Sequence, residues 1–143
     1  MGEIWMASNI LVRDIMSKNF RVVRNDTSAQ EVVATINKFD LDSVIVVQSG
    51  KPTGIITVKD ILVRMVQHGM PPSAVIAREI YTNPLVTIDE SATVEEAVNL
   101  MKRWRIKHLP VTKNERLVGI LTDTDIVYSV PAMLSDMKEL CRP

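Results

Sequence analysis

The sequence predicts an α+β fold made of two copies of one unit, and three observations carry that prediction. First, a gapless internal repeat runs from Arg13 to Leu62. It pairs each residue with the one 65 positions later, for example Arg13 with Arg78, Ile15 with Ile80, Glu31 with Glu96, Phe39 with Trp104 and Val46 with Val111. Second, each copy alternates short apolar runs, suited to buried strands, with stretches whose apolar residues recur at helical spacing. Third, one junction occurs twice, glycine-apolar-apolar-threonine-x-x-aspartate-isoleucine, over residues 54–61 and 119–126.

Each copy reads as strand, helix, strand, strand, helix, after a short helical lead-in at residues 12–16 and 77–81. The first strands are expected at residues 20–23 and 85–88, with Pro84 marking the start of the second. Ser28-x-x-Glu31 and Thr93-x-x-Glu96 are capping boxes, each opening a helix. Their apolar stripes are Ala29, Val32, Val33, Ile36 and Val94, Ala97, Val98, Met101, closed by Phe39 and Trp104.

The strand pairs 44–47 with 52–57, and 109–112 with 117–122, are separated by loops short enough to favour hairpins, hence antiparallel pairing. A helix over residues 58–68 ends at Gly69, with Pro71 and Pro72 beyond it. In the second copy Pro131 interrupts the helix, and residues 133–140 are expected to form a short final one. The division is repeat 1 over 12–70, linker 71–75, repeat 2 over 76–130 and a tail over 131–143. Neither repeat carries enough apolar surface to stand alone, so the two sheets are expected to pack together with a crevice between them.

Composition excludes several classes. Seventeen Lys and Arg balance seventeen Asp and Glu, which argues against a broad electrostatic grip on nucleic acid. Cys141 is the only cysteine, so no intrachain disulfide or two-cysteine metal motif exists, and a reducing, cytoplasmic setting is expected. Nothing reads as a membrane span or a secretory leader. Gly2 invites myristoylation, but Met6 stands where that motif takes Ser or Thr.

The repeated junction concentrates the chemistry. A strand that feeds a helix N-terminus presents unpaired N–H groups and the positive end of the helix dipole, which suits an anion. Thr57-x-x-Asp60 and Thr122-x-x-Asp125 are equally good capping boxes, in which the hydroxyl accepts from a helix N–H and the carboxylate reaches back.

The ordered set Arg13-Asp14-Ile15-Met16, Asp26-Thr27-Ser28, Gly54-Ile55-Ile56-Thr57 with Asp60, Ile106-Lys107-His108-Leu109-Pro110-Val111, and Leu117-Val118-Gly119-Ile120-Leu121-Thr122 with Asp125 resembles a tandem pair of CBS (cystathionine β-synthase) domains. The resemblance covers residues 12–130 and is to the stand-alone type, with no catalytic or transport domain attached. It implies two repeats packed by pseudo-two-fold symmetry with an inter-repeat cleft. It also implies a regulatory, energy-sensing module that binds AMP, ADP, ATP or S-adenosylmethionine there and signals to an unidentified partner protein.

Carried onto this chain, the resemblance makes Asp60 and Asp125 the ribose ligands, a role that suits an acceptor-only carboxylate. Thr57 and Thr122 would face ribose or phosphate, and Lys107 and His108 phosphate; the matching first-copy residues are Asp42 and Ser43. Adenine would lie near Met16 and Ser17 in the Asp125 site and near Tyr81, Thr82 and Pro84 in the Asp60 site. Lys59 is the one obvious cation beside Asp60, so the Asp125 site is expected to take the more charged ligand and the Asp60 site a neutral adenosine moiety or nothing.

The alternative is a structural dimerisation or docking module with no small-molecule ligand, in which both Thr-x-x-Asp motifs act only as caps. No nucleophile, base and orienter can be assembled, so the chain does not read as an enzyme, and no metal set is recognised. The basic run at residues 102–108 reads as a solvated helix end with Trp104 tucked into the core. Ile61, Met65, Ile126, Val130 and Met133 lie outside the expected cleft, so a homodimer is expected, and the resemblance implies that it forms a four-repeat disc.

Overall fold

The structure is a computed structural model and describes residues 10–129. The expectations placed on residues 1–6, Val130, Pro131, 133–140 and Cys141 lie outside the described residues. The chain divides into two compact units. One spans Asn19–Leu85; the other combines the residues up to Lys18 with those from Val86 onward. Each lead-in therefore belongs in space with the body of the other sequence repeat.

In the unit spanning Asn19–Leu85, β1 (Val22–Arg24), α2 (Ala29–Lys38), β2 (Ser43–Gln48) and β3 (Lys51–Thr57) follow one another; α1 (Val12–Ile15), the lead-in before β1, belongs to the other unit. The sheet order is β1-β2-β3, with β1 parallel and β3 antiparallel to the central β2. A parallel neighbour needs a crossover, which α2 supplies. Ser28 caps α2 by accepting from Glu31 N at 3.1 Å. The β2–β3 turn is built on Ser49 and Gly50, both at positive φ (52° and 77°), as a two-residue hairpin requires.

Beyond β3 come α3 (Val58–Ile61) and a wider π-helical turn, Leu62–Val66, in which Gln67 N donates to Leu62 O at 3.0 Å. Gly69 closes this helix in the left-handed region (φ 66°), as its position predicts. The lead-in Ala77–Glu79 then returns to the same unit, where Ala77 N donates to Thr27 O and Arg78 N to Asn25 O.

The second unit repeats this plan with β4 (Ile88–Asp89), α4 (Val94–Trp104), β5 (His108–Lys113), β6 (Arg116–Thr122) and α5, helical over residues 123–129. The sheet order is β4-β5-β6 with the same parallel and antiparallel pairing. Both hairpins carry a register irregularity at equivalent places, Val46/Val47 and Val111/Thr112. Val12 of α1 is fully buried in this unit's core, where its counterpart Ala77 is fully buried in the other.

Four expectations change. The first strands begin later than their apolar runs, at Val22 and Ile88 rather than at residues 20 and 85. β4 is shorter than β1 because Ile45 N donates to Arg21 O at 3.0 Å, whereas Pro110 occupies the position of Ile45 and has no N–H to give Val86. Val33 is exposed, so the α2 stripe is narrower than its sequence suggests. Trp104 is not tucked into the core. It is 49% exposed with the Arg103 guanidinium 5.8 Å from its ring centroid, as suits a side chain too large to leave solvent easily.

Met65, expected on an outer face, is buried in the core of the Asn19–Leu85 unit, and Ile61 and Ile126 pack partly against the two cores. The exposed apolar side chains of the helices after the two junctions are instead Val58, Leu62, Val63 and Val66 beside the first, and Val127 and Tyr128 on α5.

Candidate functional site

Both junctions form capping boxes. At the first, Asp60 N donates to Thr57 Oγ1 (3.2 Å) and Thr57 N donates to Asp60 Oδ2 (2.8 Å). At the second, Asp125 N donates to Thr122 Oγ1 (3.1 Å) and Thr122 N to Asp125 Oδ2 (3.0 Å). The spacing of three residues lets one carboxylate and one hydroxyl satisfy two backbone donors reciprocally. The structural half of the sequence reading is thus realised twice.

The glycine at the head of each motif makes room for a lead-in. At Gly54 an added Cβ would collide with the edge of the Tyr81 ring, 2.8 Å from its Cγ. At Gly119 it would lie 2.7 Å from Met16 Sδ and 2.9 Å from the Ser17 carbonyl oxygen. The next residue of each lead-in docks on the open edge of the sheet. Ser17 exchanges two backbone bonds with Ile120 of β6 (2.8 and 2.9 Å), and Thr82 does so with Ile55 of β3 (2.8 and 3.4 Å). The residues expected to share each site are brought together in this way within one unit: Met16 and Ser17 near Thr122, and Tyr81 and Thr82 near Thr57.

Around the second junction, His108 lies opposite Thr122 in the β5–β6 register, with Nε2 shielded from solvent. The Lys107 carbonyl accepts from Asp123 N at 3.1 Å, which ties the lysine backbone to the start of α5 while its side chain is exposed. Around the first junction, Asp42 O accepts equivalently from Val58 N at 3.1 Å, and Ser43 is buried opposite Thr57. Lys59 and Pro84 are exposed, and neither side chain has a hydrogen bond or ion pair among the described residues.

The cation that does reach Asp60 was not foreseen. Arg64 Nε stands 3.5 Å from Asp60 Oδ1, and Thr82 Oγ1 donates to the same oxygen at 3.1 Å. Spacing of four residues on one helix was the signal available for Arg64. Among the described residues, no group of three or more His, Cys, Asp or Glu side chains could hold a metal ion, and no helix is long and apolar enough to cross a membrane.

The CBS domain family model matches residues 12–67 and again 77–132. The chain belongs to the CBS domain family. As a CBS pair it is of the regulatory class of modules. An uncharacterised protein of Methanopyrus kandleri is 35% identical over 114 residues, covering 78% of this chain, while the chain spans 58% of that relative's length.

An uncharacterised conserved protein of Pyrococcus horikoshii has a similar solved structure (TM-score 0.80, 28% identity, covering 87% of this chain and 95% of that one). The CBS domain pair of protein MJ0100, solved in complex with 5′-methylthioadenosine and S-adenosyl-L-methionine, is similar with a TM-score of 0.76 and 29% identity, covering 85% of this chain and 96% of that one.

Proposed function

We propose that this CBS pair is a regulatory module that binds an adenosine-containing ligand, AMP, ADP, ATP or S-adenosylmethionine, at the Thr122–Asp125 junction. The observation that carries the reading is the state of the Asp125 carboxylate. It accepts one hydrogen bond among the described residues, from Thr122 N, which leaves acceptor positions for the paired hydroxyls of a ribose. Lys107 and His108 stand beside the same strand-to-helix junction as candidates for a phosphate, and Met16 lies against Gly119 as an apolar surface for a base. The adenosine derivatives bound by the MJ0100 pair support this ligand class. Binding would be reported to a partner protein through a change in packing of the repeats.

A structural reading, dimerisation or docking without a ligand, is favoured by the exposed Val58, Leu62, Val63 and Val66. A homodimer through that face is compatible with a sensor as well. Isothermal titration calorimetry with the four ligands, on the wild type and Asp125→Asn, tests the function. Asparagine keeps an oxygen for Thr122 N but loses the charge. Binding weakened about tenfold to a hundredfold in Asp125→Asn is expected, equivalent to about 1.5–3 kcal/mol for one charge-assisted bond. Silence from every ligand would refute the sensor reading.

A further inference from the structure

We infer that the first junction is closed by the chain's own side chains, so that one adenosine ligand binds per chain, at Asp125 alone; this rests on the function proposed above. An ionised carboxylate offers about four acceptor positions. At Asp60 Oδ2 accepts from Thr57 N (2.8 Å) and from Thr57 Oγ1 (3.1 Å). Oδ1 accepts from Thr82 Oγ1 (3.1 Å) and faces Arg64 Nε (3.5 Å). Three hydrogen-bond donors and the Arg64 guanidinium meet one carboxylate, whose side chain is 14% exposed. A ribose adds two more hydroxyl donors, and at most one acceptor position, the one Arg64 faces, is left for them.

The second junction has the same cap without the closure. Ser129 occupies the position equivalent to Arg64, and its hydroxyl donates to Asp125 O at 2.7 Å rather than to the carboxylate. Thr82, expected from the sequence to serve a ligand, serves Asp60 instead. The Arg64 side chain is 47% exposed, so its ion pair is screened by water. Occupancy of the oxygens by Thr57 and Thr82 closes the site, and Arg64 places a guanidinium over the remaining approach.

The test is calorimetric titration with AMP and with S-adenosylmethionine of the wild type, Asp60→Asn, Asp125→Asn and Arg64→Ser/Thr82→Ala. One equivalent is expected in the wild type, retained in Asp60→Asn and weakened about tenfold or more in Asp125→Asn. A second equivalent, within about tenfold of the first, is expected in Arg64→Ser/Thr82→Ala. Two equivalents in the wild type, loss of the single equivalent in Asp60→Asn, or a double variant that stays at one would each overturn the closure while leaving the sensor function standing.

If neither probe binds any variant, the function fails, and urea unfolding decides the closure through double-mutant cycles of Asp60→Asn with Arg64→Ser and with Thr82→Ala. Coupling in both cycles upholds it, and its absence overturns it.

Discussion

Alanine at Gly54 or Gly119 tests whether these glycines exist to admit the lead-ins. Neither adopts a positive φ, so alanine brings no backbone strain and the whole effect is one of space. At Gly54 the close atoms all belong to the Tyr81 ring, whereas at Gly119 they are Met16 Sδ, Met16 Cγ and the Ser17 carbonyl oxygen. Overpacking of this kind costs about 1–3 kcal/mol, or roughly 3–12 °C in Tm for a chain of this size.

The two sites should respond differently to relief. In a Tyr81→Ala background Gly54→Ala should cost nearly nothing, because the obstructing side chain is gone. In a Met16→Ala background about half the cost of Gly119→Ala should persist, because the Ser17 oxygen is fixed by accepting from Ile120 N at 2.9 Å. Thermal and urea unfolding followed by circular dichroism, arranged as two double-mutant cycles, measures this. Equal losses from Gly54→Ala in the wild-type and Tyr81→Ala backgrounds would refute the steric reasoning.

Three further outcomes are expected. Met65→Ala should destabilise by about 2–5 kcal/mol in urea unfolding and leave self-association unchanged, because the side chain is 1% exposed in the core. Leu62→Asp should do the reverse in sedimentation velocity if the exposed face forms a dimer. Thr93→Ala should destabilise by about 1 kcal/mol through loss of the hydroxyl that accepts from Glu96 N at 3.1 Å, with Thr93→Ser recovering most of it.

The Asp89 carboxyl is held below its ordinary pKa of 3.8, chiefly by hydrogen bonds from the Ser91 hydroxyl and then from Ser91 N, with a smaller pull from Arg13. Because the folded value is the lower one, its contribution to stability is present above pH 3.8 and is lost as pH falls through the folded value. Ser91→Ala should raise the Asp89 carboxyl toward 3.8 in an NMR titration, and an unchanged midpoint would contradict the assignment of cause.

The sequence alone determined the repeat, legible as matching residues 65 positions apart, and the α+β class, both hairpins and the Thr-x-x-Asp caps, because these last rest on residues close together in the chain. Turn residues at Ser49 and Gly50, caps at Ser28 and Thr93 and the stop at Gly69 act over two to five positions, and their chemistry is local. Tertiary structure decided what depends on partners far along the chain. The missing N–H of Pro110 shortens β4, a strand more than twenty residues earlier. The burial of Met65 and the exposure of Val33 and Trp104 follow from which surfaces the helices meet, and periodicity cannot rank the members of a stripe.

The same division separates the two aspartates. Their motifs are nearly identical in sequence, yet Asp60 also receives Thr82 from a lead-in 22 positions away and Arg64 from its own helix, while the described partner of the Asp125 carboxylate is the cap alone. A carboxylate's chemistry is set by how many of its acceptor positions are already taken, and only the folded arrangement of the lead-ins fixes that number.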